Sequence, residues 1–202
     1  MNNDSYLTVA TPGEGNFTEK RSRFLAFALH VENEEEAKRH LAELRKKYYD
    51  ARHICYAYAL GPDGAQTRSN DDGEPSGSAG KPLLGQLRSF GVTFTLVAVV
   101  RYFGGVKLGT GGLAVAYKTA AAEALAAATL EERLVMTDFR ISVPYTDADA
   151  VLRHCREEEA AIADRQYSAT DMLLTVSVRL GTCERLKEKI GRIFSVKFCR
   201  EE

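Results

Sequence analysis

Residues 93–103, "TFTLVAVVRYF", are nearly continuous in apolar and β-branched side chains. A strand of that texture has both faces covered, because a strand wet on one side alternates between apolar and polar residues. The stretch therefore predicts the central strand of a sheet packed on each side, running from Thr93 to Phe103. Two glycine-rich stretches flank it, "RSNDDGEPSGSAGKPLLGQL" at 68–87 and "RYFGGVKLGTGG" at 101–112. Lying at the ends of one buried strand, these loops are expected on one rim, where glycines let a ligand approach the backbone.

Working outward, "NEEEAKRHLAELRKKYY" reads as a helix. Asn33 caps it with Glu36 three residues on, acids fill the first turn and bases the last, and Ala37, Leu41, Leu44 and Tyr48 form the apolar stripe. "YLTVA" and "RFLAFALHV" before it read as strands, and "HICYAYAL" after it alternates with Ile54, Tyr56, Tyr58 and Leu60 on one face. A loop is expected from Gly61 to Gly80, then a short helix from Pro82 burying Leu83, Leu84, Leu87 and Phe90. "LAVAYKTAAAEALAAATL" is an alanine-rich helix, suited to close packing on a sheet and expected to end near Glu131.

From about Arg133 the texture changes. "FRISVPY" alternates with Phe139, Ile141, Val143 and Tyr145 inward, and Asp147 is placed to cap a helix through about Glu158. "AIADRQYS" and "DMLLTVSVRL" read as a hairpin, the second strand aligning Met172, Leu174, Val176, Val178 and Leu180. Thr182 opens a helix with Leu186, Ile190 and Ile193, and "FSVKF" closes as a strand. This is a β-α-β-β-α-β order, the ferredoxin-like pattern. The fold class is α+β, with two domains expected at 1–135 and 136–202.

At 202 residues, 45% hydrophobic and 27% charged, the composition is that of an ordinary globular protein. No apolar run approaches the roughly 20 residues of a membrane span, and no secretory pattern opens the chain, so the expected location is cytoplasmic, away from membranes. A net charge of −1 excludes coating nucleic acid through global basicity. The distribution is less even: Pro75–Ala122 contains Lys81, Arg88, Arg101, Lys107 and Lys118 and no acid. Such a window can place a positive field around the glycine loops. Cys55, Cys155, Cys183 and Cys199 form no CxxC pair and the histidines no HxxxH, so no metal is expected.

The acids of the first loop, Asp71, Asp72 and Glu74, lack the spacing of a calcium loop. They are expected to pair with Arg68 or to cap loop amides. In the second loop, Thr110-Gly111 follows Gly109 where a Walker A lysine would stand. "GTGGLA" fits G-x-G-x-x-A, but about five residues separate it from the strand, and Glu131 falls at a helix end, so a dinucleotide site is not expected. Ser69, Ser76 and Ser78 have no nearby His–acid pair, and no residue is assigned a catalytic role. Two readings of the second loop stay open. A glycine-preceded helix N-terminus beside Arg101, Lys107 and Lys118 favours an anion, and the glycines equally permit tight loop packing. The expected anion site joins Arg68, Lys81, Arg101, Gly104, Gly105, Lys107, Gly109, Gly111, Gly112 and Lys118. Tyr102, Phe103 and Tyr117 are available to stack on bases.

"RHICYAYAL", "SNDDGEPSGSAGKPLLGQL" and "VAVVRYFGGVKLGTGGLAVAYKTA", long, gapless and in order, resemble the IMPACT family in its bacterial YigZ-type branch. The resemblance implies a first domain similar to domain IV of elongation factor G and a second similar to its ferredoxin-like domain V. It implies an RNA- or ribosome-associated regulator of translation. Apart from the resemblance, no cofactor is expected. The RWD domain of eukaryotic members is not in this sequence, so their kinase-related partner is not carried over. The alternative is an enzyme acting on a nucleotide or phosphorylated small molecule in the same cleft.

Overall fold

The computed structural model describes residues 4–199. The described chain divides into two compact units, one spanning Tyr6–Arg133 and the other comprising residues 134–199 together with Asp4 and Ser5.

In chain order the first unit contains β1 (Ser5–Thr11), β2 (Gly13–Glu19), β3 (Ser22–His30), α1 (Glu34–Lys47), β4 (His53–Leu60) and β5 (Gln66–Asn70). Then follow α2 (Gly80–Phe90), β6 (Thr95–Tyr102), α3 (Gly109–Ala127) and β7 (Thr129–Leu134). Five strands form one sheet in the order β2-β3-β6-β4-β5, every neighbouring pair antiparallel. β6 is the middle strand, buried along its length apart from Tyr102, as its continuous apolar texture predicts. Its Val97 and Val99 face α2 and α3, joining Cys55, Ala57, Leu83, Leu87 and Tyr117 in one core. Ala98 and Val100 face the other way, with Leu44 of α1.

α3 lies close against the sheet because its contact stripe is alanine: Ala116, Ala120, Ala121 and Ala124 are wholly buried. On the facing strand a Cβ added at Gly13 would stand 2.1 Å from the Ala124 carbonyl oxygen, so only glycine admits the helix there. Asn33 accepts from the Glu36 amide at 3.0 Å and caps α1 as its sequence predicts.

The differences from the sequence reading have physical causes. β5 carries "QTRSN", which as an edge strand lacks apolar alternation and falls in the stretch read as loop, and β2, the opposite edge strand, carries "GEGNFTE", to which the sequence reading assigns no element. α3 ends at Ala127, since Ala128 turns extended and Thr129–Leu134 pairs with β1 instead of continuing the helix. β6 begins at Thr95, and α2 begins at Gly80, ahead of Pro82.

The second unit contains β8 (Met136–Pro144), α4 (Ala148–Glu157), β9 (Ala161–Tyr167), β10 (Asp171–Arg179), α5 (Leu180–Gly191) and β11 (Lys197–Phe198). Its antiparallel sheet has the order β11-β8-β10-β9, the ferredoxin-like arrangement. One face packs against both helices through Phe139, Ile141, Val143, Leu174, Val176, Val178, Val151, Leu186 and Ile190. Tyr145 and Leu180, expected on that face, lie beyond the strand ends and are 44% and 47% exposed. Asp147 adjoins α4 but does not cap it with its side chain, which accepts from Ser195 Oγ at 2.7 Å. Among the described residues, no helix is long and apolar enough to cross a membrane.

Candidate functional site

Antiparallel pairing sets His53, the first residue of β4, opposite Arg101 near the end of β6. β5 returns along β4 until Asn70 lies opposite Tyr56, which carries the 71–79 loop to the same rim. α2 then crosses the sheet to the far end, where β6 starts. Both glycine loops thus meet at the C-terminal end of β6. The expectation of one loop at each end of that strand is corrected by the crossing of α2, hidden in a stretch read as loop and short helix.

The 71–79 loop is held from inside by its own acids. Asp71 accepts from the amides of Gly77 (2.8 Å), Ala79 (2.9 Å) and Gly80 (2.8 Å). It thereby supplies the cap that the N-cap residue of α2, Ala79, cannot provide. Burial works to raise the Asp71 carboxyl, yet the three amides and Lys81 hold it below its usual range. Asp72 accepts from Arg45 at 2.5 Å and from the Ile54 amide at 2.6 Å, fastening the loop to α1 and β4. Asp71 therefore caps loop amides as expected. None of the three acids is paired with Arg68, because β5 sets Arg68 opposite Tyr58 on the α1 side of the sheet, 4.0 Å from Glu34.

Glu74 is the centre of a buried network. Its Oε1 accepts from Arg101 Nη1 at 2.5 Å and from the Tyr117 hydroxyl at 2.8 Å. The Cys55 thiol lies 3.3 Å from that hydroxyl and 3.0 Å from the Asp71 carbonyl oxygen. Burial, with the neighbouring acids, pushes the Cys55 thiol up to about 12. Burial likewise drives the Tyr117 phenol far upward, helped by Cys55 and Glu74. Both stay neutral donors, so the network contains one carboxylate and one guanidinium.

The 103–109 turn brings α3 to the rim. Gly104 crosses the backbone of Arg21, where an added Cβ would stand 2.1 Å from its carbonyl carbon, and its amide donates to Ser22 Oγ at 3.2 Å. No side chain caps the N-terminus of α3, whose N-cap is Leu108, and no acid occupies its first turn.

Between the two loops and this helix end opens a cleft of about 420 Å³, lined among others by Arg52, His53, Glu74, Arg101, Phe103 and Lys107, with Gly109 and Thr110 of the α3 first turn. Three cations face one carboxylate. Arg101 is only 6% exposed, its guanidinium 5.5 Å from the Phe24 ring and 5.6 Å from that of Phe103. Its Nε is buried without any hydrogen-bond partner among the described residues. Arg52 and Lys107 are exposed and make no ion pair among the described residues. His53 Nδ1 lies 2.7 Å from the Asp72 carbonyl, which can only accept, so Nδ1 carries the hydrogen and Nε2 keeps its lone pair in the neutral ring. Phe103 is 54% exposed at the rim.

Of the residues singled out by sequence, the cleft joins Arg101, Lys107 and Gly109. Gly111 and Gly112 line a separate hollow with Phe17 and Lys20. Gly104 and Gly105 shape the turn, the latter at φ 87°. Arg68 belongs to the α1 side, Lys81 lies beside Gly77 in the first turn of α2, and Lys118 is exposed further along α3. Ser78 donates to the Pro75 carbonyl at 2.6 Å as a turn residue. Of the three aromatics, Tyr102 donates to Asp50 and Tyr117 is core, leaving Phe103 free to stack. Sequence reasoning missed Arg52 as a cleft cation and Glu74 as the partner of Arg101. The pairing of "RHI" with "VRY" across two antiparallel strands is the signal that could have found the first. Among the described residues, no three His, Cys, Asp or Glu side chains gather to hold a metal ion.

Comparison with known proteins places these features. Residues 20–125 match the model of the Impact N-terminal domain, and residues 141–195 match a domain of unknown function (DUF1949). The chain is 37% identical over 164 residues to the IMPACT family member YvyE of Bacillus subtilis, covering 81% of this chain and 76% of that protein. It is 37% identical over 175 residues to the IMPACT family member YigZ of Escherichia coli, covering 84% of each. A crystal structure described as that of a hypothetical protein superposes with a TM-score of 0.75 at 32% identity, over 98% of both chains.

Proposed function

This chain belongs to the IMPACT family, and we propose that it is an RNA- or ribosome-associated regulator of translation that docks phosphate in the cleft at the N-terminus of α3. The observation that carries the reading is the convergence of Arg52, Arg101 and Lys107 on an uncapped helix end, with the Arg101 Nε buried and unpartnered. A helix N-terminus and fixed guanidinium donors favour an anion, and phosphate suits their geometry. Phe103 at the rim offers a face to a nucleobase. The ribosomal part of the reading rests on what the family resemblance implies, not on the cleft.

RNA binding measured against salt tests this. Lys107→Ala and Arg52→Ala should each weaken binding across sequences and lower the salt slope by about 0.7–1 unit. Unchanged affinity in the double variant, with unchanged melting, would refute the reading. One observation favours the enzyme alternative: His53 lines the same cleft. Release of product from a nucleotide or sugar phosphate, abolished by His53→Ala, would establish it instead.

A further inference from the structure

The position of Arg101 says more about the anion than its charge does. We infer that the cleft takes a terminal phosphate monoester of a nucleotide, in preference to a phosphodiester inside a strand. This deepens the phosphate-docking reading of the same cleft and rests on it.

Three observations lead there. The first is depth. The group still in need of a partner is Arg101 Nε, on a side chain 6% exposed and held from behind by Glu74, itself bonded to Tyr117. A phosphodiester within a strand has sugars on both sides and must lie along a surface, so its oxygens do not reach a side chain recessed to 6% exposure. A monoester enters end-on, and its three terminal oxygens can meet donors from several directions at once. The second is charge. Arg52, Arg101 and Lys107 against Glu74 leave an excess of two positive charges. A monoester carries about −1.5 to −2 near neutral pH, whereas a diester carries one negative charge. The third is size. About 420 Å³ lies in the range of a small-molecule site and suits one nucleotide at the end of a chain or free in solution. In that pose the phosphate meets the Arg101 guanidinium, whose Nη1 is already held by Glu74, and the first amides of α3, Lys107 and Arg52 close on its outer oxygens, and Phe103 at the rim faces the attached base. Glu74 is the one carboxylate of the lining, its Oε1 engaged by Arg101 and Tyr117, and the three cations outweigh its charge.

The test uses the full chain and one short RNA sequence in three forms: with a 5′-phosphate, with a 3′-phosphate, and with hydroxyls at both ends. AMP and inorganic phosphate serve as separate probes and competitors, and binding is read by fluorescence anisotropy and calorimetry. One phosphorylated end should bind about tenfold or more tighter than the hydroxyl-ended RNA, the worth of a well-placed charge-assisted contact. Lys107→Ala should narrow that gap. Arg101→Lys, which keeps the charge but removes Nε, should narrow it too, in a variant shown by melting to be folded. AMP binding alone as tightly as the phosphorylated RNA, with no RNA preference, supports the inference and assigns the site to a free nucleotide, overturning the RNA reading. Equal binding of all three RNAs, weakened equally by Lys107→Ala, overturns the terminal preference and leaves RNA docking in place. No binding of any RNA or of AMP overturns both.

Discussion

Asp71→Asn tests whether the first glycine loop is built by its own carboxylate. In the folded protein Asp71 receives three backbone amides at 2.8–2.9 Å, two of them opening α2. Hydrogen bonds to a charged group contribute roughly 1.5–3 kcal/mol each, about twice a neutral one. Asparagine keeps an oxygen where Ala79 and Gly80 donate, at neutral strength, but turns an NH₂ toward the Gly77 amide, donor against donor. The expected loss is about 2–4 kcal/mol near pH 7, on the order of 5–15 °C in melting temperature for a chain of this size. The pH dependence follows from the sign of the shift. The folded-state pKa of Asp71 lies below its unfolded value. Its contribution is therefore complete above the unfolded value, near 4, and is lost as pH falls through the depressed folded one. The gap between wild type and variant should hold from about pH 7 to pH 5 and close in more acidic solution. Thermal melts across that range measure it, and hydrogen exchange at residues 77–81 localises it. A gap under about 0.5 kcal/mol at neutral pH, or one that widens on acidification, would refute the capping role.

Tyr117→Phe removes the hydroxyl shared by Glu74 and Cys55, and should cost about 1–2 kcal/mol in urea unfolding; an unchanged midpoint would mean the hydroxyl adds nothing to holding Glu74. Gly104→Ala places a methyl 2.1 Å from the Arg21 carbonyl carbon. It should destabilise the first unit by more than about 3 kcal/mol or prevent soluble expression, and a variant melting like wild type would contradict the crossing of those two turns. For the thiols, the Cys55 value of about 12 leaves on the order of one molecule in ten thousand as thiolate at pH 8. Alkylation mapped by mass spectrometry should therefore modify the partly exposed Cys199 first and leave buried Cys55 until unfolding; equal rates in folded protein would overturn the burial of β4.

What the sequence disclosed depended on how each residue earns its place. β6, α1 and the ferredoxin-like unit are written in side-chain periodicity, so Val97, Leu44 and Ile141 could be placed from the sequence alone. β2 and β5 are edge strands held by backbone bonding, and "GEGNFTE" and "QTRSN" carry little side-chain signal of it. The cleft was half legible. Lys107 and Arg101 were visible as basic residues beside glycines, and Phe103 as an aromatic next to them. Arg52 comes from another part of the chain, and only the register of β4 on β6 brings it near. Arg68 failed for the opposite reason: near in sequence to the acids, it is turned away by strand alternation to the α1 side of the sheet, near Glu34.

The acid-free window shows how sequence distance misleads and what the fold does with the difference. The window opens at Pro75, one residue after Glu74, and Glu74 is the acid that the fold returns to its middle, against Arg101. The cleft is therefore less positive than the window suggests, and its cations divide into two kinds. Arg52 and Lys107 are exposed and, among the described residues, unpaired, so they attract an anion through a field that salt screens. Arg101 is fixed by Glu74 and flanked by Phe24 and Phe103, so it loses little freedom when a phosphate arrives. Removing one partner of a buried pair strands the other, at a cost of about 3–5 kcal/mol. Arg101→Ala is thus first a test of folding. Attraction is read from the two exposed cations, and selectivity from changes that keep the buried charge while altering the donors it presents.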